Sequence, residues 1–223
     1  TEFGRLNPQH PHSWSFVDQP LVNGRFFGGD GLRGPGGRIS WLVPTPFYSE
    51  LYLSVQNSQG ATAHSFRSDH GNAPFLGRLN TVDRVKSFGD MLFVPRYTAS
   101  FDLTDTQTLL LGASGGFGPN ASGADTFTQV YGLDAFWKWK PVNHHAGFPF
   151  VSWQTEGMLR KYTAGAFSNA GDDANLSGTV GDAFGEPNVF GDGSIRTMPR
   201  ETLTDYGLYS QVSYGFRKGW VAA

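Results

Sequence analysis

Hydrophobic and polar residues alternate with a period of two over long stretches of this chain, the spacing of β-strands with unlike faces. From Phe47 to Gln56, one face carries Phe47, Leu51, Leu53 and Val55, and the other carries Tyr48, Glu50, Tyr52, Ser54 and Gln56. From Met91 to Leu103, Phe93, Tyr97, Ala99, Phe101 and Leu103 oppose Arg96, Thr98, Ser100 and Asp102. Past the turn Thr104-Asp105, the segment Thr106 to Ser114 sets Leu109, Leu111 and Ala113 against Thr108, Gly112 and Ser114. Thr126 to Lys140 places Phe127, Tyr131, Leu133, Ala135, Trp137 and Trp139 opposite Thr128, Asp134, Lys138 and Lys140, with Val130 and Phe136 breaking the polar face. At roughly 3.3 Å per residue this strand runs about 50 Å, well beyond the usual strand of a soluble sheet. Phe150 to Tyr162 follows, with Val151, Trp153, Gly157 and Leu159 against Ser152, Gln154, Glu156, Arg160 and Tyr162. Thr204 to Arg217 is weaker, and with Arg38 to Val43 the pattern predicts seven strands and the start of an eighth.

The connections alternate in length. Short turns are expected at 44–46, 104–105, 141–149 and 217–219, and long loops at 57–90, 115–125 and 163–203, with residues 1–37 as a further outer loop. Short turns on one side and long loops on the other are the arrangement of a transmembrane β-barrel, with periplasmic turns and extracellular loops. The sequence therefore predicts an all-β chain, an antiparallel transmembrane barrel forming one domain over residues 1–223, as an incomplete portion of about eight strands. Both ends, Thr1 and Ala223, read as cuts. A soluble β-sandwich lectin or hydrolase is the alternative that retains period two.

Composition supports a β fold and removes several chemistries. The 30 Gly and 13 Pro disfavour helices, as does an aromatic content of 15%. A net charge of −2 offers no basic footprint, so no nucleic-acid partner is expected. The chain has no cysteine, which removes thiol catalysis, disulfides and Cys-ligated metals. Mean hydropathy is −0.33, with no apolar run long enough for a membrane helix. Barrel strands escape that test, because half of each faces a polar lumen.

Several short motifs lack their structural context. Gly112-Ala113-Ser114-Gly115-Gly116 matches a nucleophile elbow, but a loop follows it rather than a helix. Gly29-Asp30-Gly31-Leu32-Arg33-Gly34 has dinucleotide-fingerprint spacing yet leads into a strand. Its closely spaced glycines also suit a loop folded back into a barrel mouth. The pairs His10/His12 and His144/His145 lack a third metal ligand, and Asp172-Asp173 and Asp192 lack a calcium-loop pattern. His64, Asp69 and His70, on one long loop, are the better outside chance for a metal. No enzyme activity and no cofactor are expected.

Function is expected on the polar face. Glu50, Tyr52, Arg96, Asp102, Asp134, Lys138, Glu156 and Arg160 are the candidate pore-lining residues, since rings of charge on a channel wall set ion preference and orient polar solutes. The same residues pairing across strands would simply hold the wall together. Trp41, Trp137, Trp139 and Trp153 fall near the short-turn ends of their strands, where a lipid-facing aromatic girdle is expected.

The run from Phe16 to Gly37, FVDQPLVNGRFFGGDGLRGPGG, followed by Arg38-Ile-Ser-Trp-Leu-Val-Pro-Thr-Pro-Phe-Tyr-Ser-Glu-Leu51, resembles porin-like outer-membrane proteins often labelled zinc-regulated TonB-dependent receptors. Phe150-Val-Ser-Trp-Gln-Thr-Glu-Gly-Met-Leu-Arg160 is similar in style to phosphate-selective porins. The resemblance implies a channel in the bacterial outer membrane for small polar solutes or ions. It also implies contact with the lipid bilayer and lipopolysaccharide, and a homotrimer. A TonB-dependent receptor barrel for metal or siderophore uptake, and a structural or adhesive barrel binding a partner through its loops, are the alternatives. No plug domain and no TonB-box-like terminus are readable in the sequence.

Overall fold

A computed structural model describes residues 1–14, 16–67, 75–82, 84–168 and 197–223. One antiparallel sheet of eight strands runs in the order β1 (Gly36–Leu42), β2 (Tyr48–Gln56), β3 (Leu92–Thr104), β4 (Gln107–Pro119), β5 (Phe127–Trp139), β6 (Phe150–Ala164), β9 (Glu201–Arg217) and β10 (Trp220–Ala222). Each strand pairs with its neighbours in the chain, so the sheet is a simple meander. The two-residue strands β7 (Phe167–Ser168) and β8 (Thr197–Met198) pair with each other beyond the end of β6. The chain is all-β and antiparallel, as the alternation predicts. The sheet is open, with β1 and β10 at its edges.

Two differences from the sequence expectation bear on the site. β4 continues through Gly115 and Gly116 to Pro119, so the loop expected at 115–125 begins only after the strand. Residues 1–37 are not simply an outer loop. They contain a 3-10 turn at Pro11–Ser13 and an α-helix, α1 (Leu21–Phe27), and the segment ahead of β1 lies against one face of the sheet. Helix α1 follows Pro20 and stops at Gly28, whose φ of +83° suits glycine. Its buried residues Val22, Asn23, Phe26 and Phe27 fall at i and i+4 spacing, which puts them on one stripe.

Register fixes which side chains share a face. One lateral row runs Trp41, Leu51, Tyr97, Ala113, Leu133, Gly157 and Leu208 from β1 to β9. The row one residue along, on the opposite face, runs Glu50, Thr98, Gly112, Asp134, Glu156 and Tyr209. The polar face is the covered one. Over it sits a buried apolar cluster built from Phe3, Val22, Phe26, Phe27 and Leu32 of the N-terminal segment, Ala63 and Phe66 of the following loop, and Leu92, Val94, Val130 and Met158 of the wall. Phe3, Phe26, Phe27 and Phe66 are each no more than 1% exposed, and each contributes roughly 1.5–3 kcal/mol by leaving water.

Candidate functional site

The polar face and the segment filling it form the candidate site. Asp134 on β5 receives both Nη atoms of Arg96 on β3, at 2.6 and 3.0 Å, although β4 lies between them. Gly112 pairs directly with Asp134, and its missing side chain leaves room for the guanidinium. Ser114 Oγ accepts from Arg96 Nη1 at 2.7 Å and from the backbone N–H of Gly4 at 3.0 Å. Glu156 Oε1 accepts the N–H groups of Arg5 and Leu6 at 2.8 and 2.7 Å, so one wall carboxylate holds two consecutive amides of the N-terminal segment. Gly4 has φ +57°, and a Cβ there would lie 2.6 Å from Glu156 Oε2, so the segment turns over the carboxylate only with glycine.

The remaining contacts extend that seat. The Arg5 guanidinium stacks on Phe136 at 3.7 Å and its Nε donates to Gln154 Oε1 at 3.3 Å. Phe3 rests on Gly132, where a Cβ would come within 2.8 Å of the ring. Arg160 is fully buried and donates to Asp205 at 2.9 and 2.7 Å, and to Ser65 Oγ at 2.7 Å. Its guanidinium lies 4.8 Å from the centre of the Phe26 ring. Arg25 of α1 reaches the same Asp205 at 3.0 Å. Within the segment, Asn7 accepts from Leu32 N–H at 2.7 Å and donates to Leu32 O at 3.2 Å, closing the loop on itself.

The eight predicted pore-lining residues all lie on this face, but in two environments. Arg96, Asp134, Glu156 and Arg160 are between 0 and 5% exposed, and the N-terminal segment lies over them. Glu50 and Tyr52 are half-buried, bonded to each other and to Tyr48, while Asp102 and Lys138 are exposed nearer the short turns. Thr108 donates to Asp102 at 3.0 Å, and Lys138 Nζ sits 5.3 Å from the Phe150 ring centre. A segment of the chain itself occupies the face. The polar-face breaks at Val130 and Phe136 were its signal, since Val130 joins the buried cluster and Phe136 lies beneath Arg5.

The opposite face has another chemistry. Along β2 to β9 it presents Phe47, Leu51, Leu53, Tyr97, Phe101, Leu109, Leu111, Leu133, Trp153, Leu208 and Val212, and the first charge met on it is Lys161. Leu133 is 69% exposed and Leu208 73% exposed. A shallow apolar hollow of about 940 Å³ lies here, floored by small residues such as Ala113, Ala135 and Gly157. Trp137 and Trp153 are direct partners across β5 and β6, and Trp139 sits beside Val151. Trp41 is on the same face but opposite Leu51, further up the ladder, so the four tryptophans share a face without sharing a row.

The tempting motifs resolve structurally. Ser114 lies inside a continuous strand and is bonded to Arg96 and Gly4, not set on a turn before a helix. The glycine run follows α1 rather than a strand. His64 packs edge-on against Phe75 at 4.8 Å, while Asp69, His70, Asp172, Asp173 and Asp192 lie outside the described residues. Among the described residues no group of three metal-ligating side chains gathers.

Described parts of the long loops are tied to their surroundings. Asp90 Oδ2 accepts N–H groups of Lys86 and Ser87, and Arg67 bonds its Oδ1 at 2.8 Å. The Lys86 amide foremost, with Ser87 and Arg67, holds the Asp90 carboxyl well below the usual carboxylate range, at about 2. Buried Arg78 donates to Gly165 O and Pro199 O at 2.8 and 3.0 Å and pairs with Glu201 at 2.7 Å, joining two loops.

No family model matches the chain. No solved structure matches it. An uncharacterised protein of Aquifex aeolicus is 34% identical over 146 residues, which is 60% of this chain and 29% of the relative. The chain thus spans under a third of the length of the curated relative it matches.

Proposed function

We propose that this chain is a sector of a bacterial outer-membrane β-barrel that admits small polar solutes through a lumen narrowed by its own N-terminal segment. The supporting observation is the contrast between the two faces. One is apolar and charge-free across the middle of β2 to β9 while remaining largely exposed, and the other buries its ion pairs. An exposed continuous apolar face is costly in water but is what hydrocarbon requires. The resemblance of residues 16–56 to porin-like outer-membrane proteins favours the same reading. Bilayer lipid and lipopolysaccharide are then the partners of the apolar face, and a trimer would use part of it. The solute would travel past Glu50, Tyr52, Asp102 and Lys138. The mixed charge of these groups suits neutral or zwitterionic solutes better than one ion sign.

A second reading draws on the same filling. A barrel sealed by residues 1–35, with loops pinned by Arg67 and Arg78, also suits a structural or adhesive wall whose loops bind a partner. For the energised receptor, the segment over the polar face is the feature that resembles a plug.

Tryptophan quenching by brominated acyl chains tests the membrane reading, because Trp41 and Trp153 are exposed on the apolar face. Strong quenching in vesicles is expected. A chain that stays dispersed and unquenched in buffer without detergent overturns it. Planar-bilayer current from the full-length protein then separates channel from sealed wall.

A further inference from the structure

The geometry points to a gate: residues 1–35 are a displaceable segment, latched onto the wall by the Glu156 carboxylate and by Arg25 on Asp205, and their release widens the lumen. This rests on the channel reading above. Three observations support displacement over permanent packing.

First, the seat is imperfect where it is polar. Gln56 Nε2 on the sheet and Asn23 Oδ1 on the segment are buried without a hydrogen-bond partner, and Glu156 Oε2 receives no donor from the segment. A permanent core satisfies almost all such atoms, so this contact gives up part of the stability its apolar cluster supplies. Second, the buried ion pairs beneath do not depend on the cover. Arg96, Asp134 and Ser114 bond to one another, and Arg160 bonds to Asp205, so lifting the segment leaves these charges paired, although it also uncovers Leu92, Val94, Val130 and Met158. Third, the latches are specific. Two backbone amides meet one carboxylate oxygen, Gly4 passes over the other, and α1 approaches β9 closely because residue 207 is glycine.

These 223 residues contain no cysteine, so engineered thiols on the segment and on the sheet beneath it have no native thiol beside them in this stretch. A Cβ added at Gly207 would lie 3.1 Å from the Val22 Cβ, near the span of about 3.5–4.5 Å that a disulfide bridges. Val22→Cys with Gly207→Cys therefore ties α1 to the wall. Ser114→Cys places a thiol under Gly4, where its labelling rate from water follows the fraction of time the segment is lifted.

The experiment uses the full-length protein in lipid bilayers, with brominated-lipid quenching recorded on every variant. Glu156→Ala removes the carboxylate latch and is expected to raise Ser114→Cys labelling about tenfold or more. Arg25→Ala removes an exposed latch, leaves the fold in place, and is expected to raise it about two- to fivefold. Channel current should rise in the same order. The oxidised Val22→Cys/Gly207→Cys protein should conduct less than its reduced form, with reduction restoring the current. Equal labelling in all three backgrounds, together with equal current from the oxidised and reduced lock, makes the segment a fixed part of the wall and overturns the gate. Loss of quenching in the unmutated protein instead removes the membrane reading, and the gate with it, so the two failures are told apart.

Discussion

Arg96 and Asp134 meet across an intervening strand with 5% and 1% of their side chains exposed, and Arg25 meets Asp205 with 57% and 21% exposed. The two pairs should behave differently when cut. Removing one member of a buried pair strands the other charge, so Arg96→Ala is expected to destabilise the folded protein by about 3–5 kcal/mol. Arg25→Ala removes a surface pair worth about 1 kcal/mol or less. Denaturant titration in detergent micelles measures both, and similar losses would mean that the Arg96 pair is wet. Asp90 gives a pH prediction of definite sign. Its carboxyl titrates lower in the folded protein than in an unfolded chain, so its stabilisation is complete above the ordinary carboxylate range and is lost as pH falls through about 2. Pepsin cleavage around residues 84–91 should therefore accelerate between about pH 4 and pH 2, a rise that Asp90→Asn, already unlatched, should lack. Arg96 and Asp134 were legible in the sequence as polar-face charges. Their pairing was not, because Arg96 reaches Asp134 over Gly112, and the pairing of Arg67 with Asp90 across a loop likewise has no period.

At the scale of elements, β5 shows what alternation can and cannot reveal. Its apolar face from Phe127 to Trp139 was readable outright, since a strand must turn every second side chain the same way. The helix α1 was not, because seven residues hold only two buried i, i+4 pairs, Val22 with Phe26 and Asn23 with Phe27, too few to stand out from a glycine-rich loop. What covers the polar face was visible only indirectly, in Val130 and Phe136, whose apolar side chains interrupt a polar series. The same strand supplies a test that separates water from lipid. Leu133 is 69% exposed, so in a soluble sheet Leu133→Arg should be nearly neutral, within about 0.5 kcal/mol. In a bilayer an arginine near the midplane costs about 2–4 kcal/mol. Unfolding measured in phospholipid vesicles is expected to show the larger loss, and Lys161→Arg, where a cation already stands on that face, should show almost none.

For the whole molecule, the edges of the sheet bear on everything else. Hydrocarbon offers no hydrogen bonds, so a lipid-facing sheet requires every strand to be paired on both sides. In the described structure β1 from Gly36 to Leu42 pairs only with β2, and β10 covers only the Tyr214 to Arg217 end of β9. The alternation of hydrophobic residues could foretell eight strands but not their closure, because closure depends on partners for the two edges and not on the pattern within any strand. The membrane reading therefore makes a demand beyond the apolar face: in the assembled protein β1 and the length of β9 from Glu201 to Ser213 must be paired on their open sides, by further strands or by another copy. Amide hydrogen exchange in vesicles checks this directly. Slow exchange along Gly36–Leu42, comparable with that of β5 at the centre of the sheet, is the expected result, since a closed wall has no fast edge. Protection at β4 to β6 combined with rapid exchange at every second amide of β1 would describe a sheet whose edge stands in water. A sheet of that kind cannot be a barrel wall, and its apolar face would then have to be covered by protein.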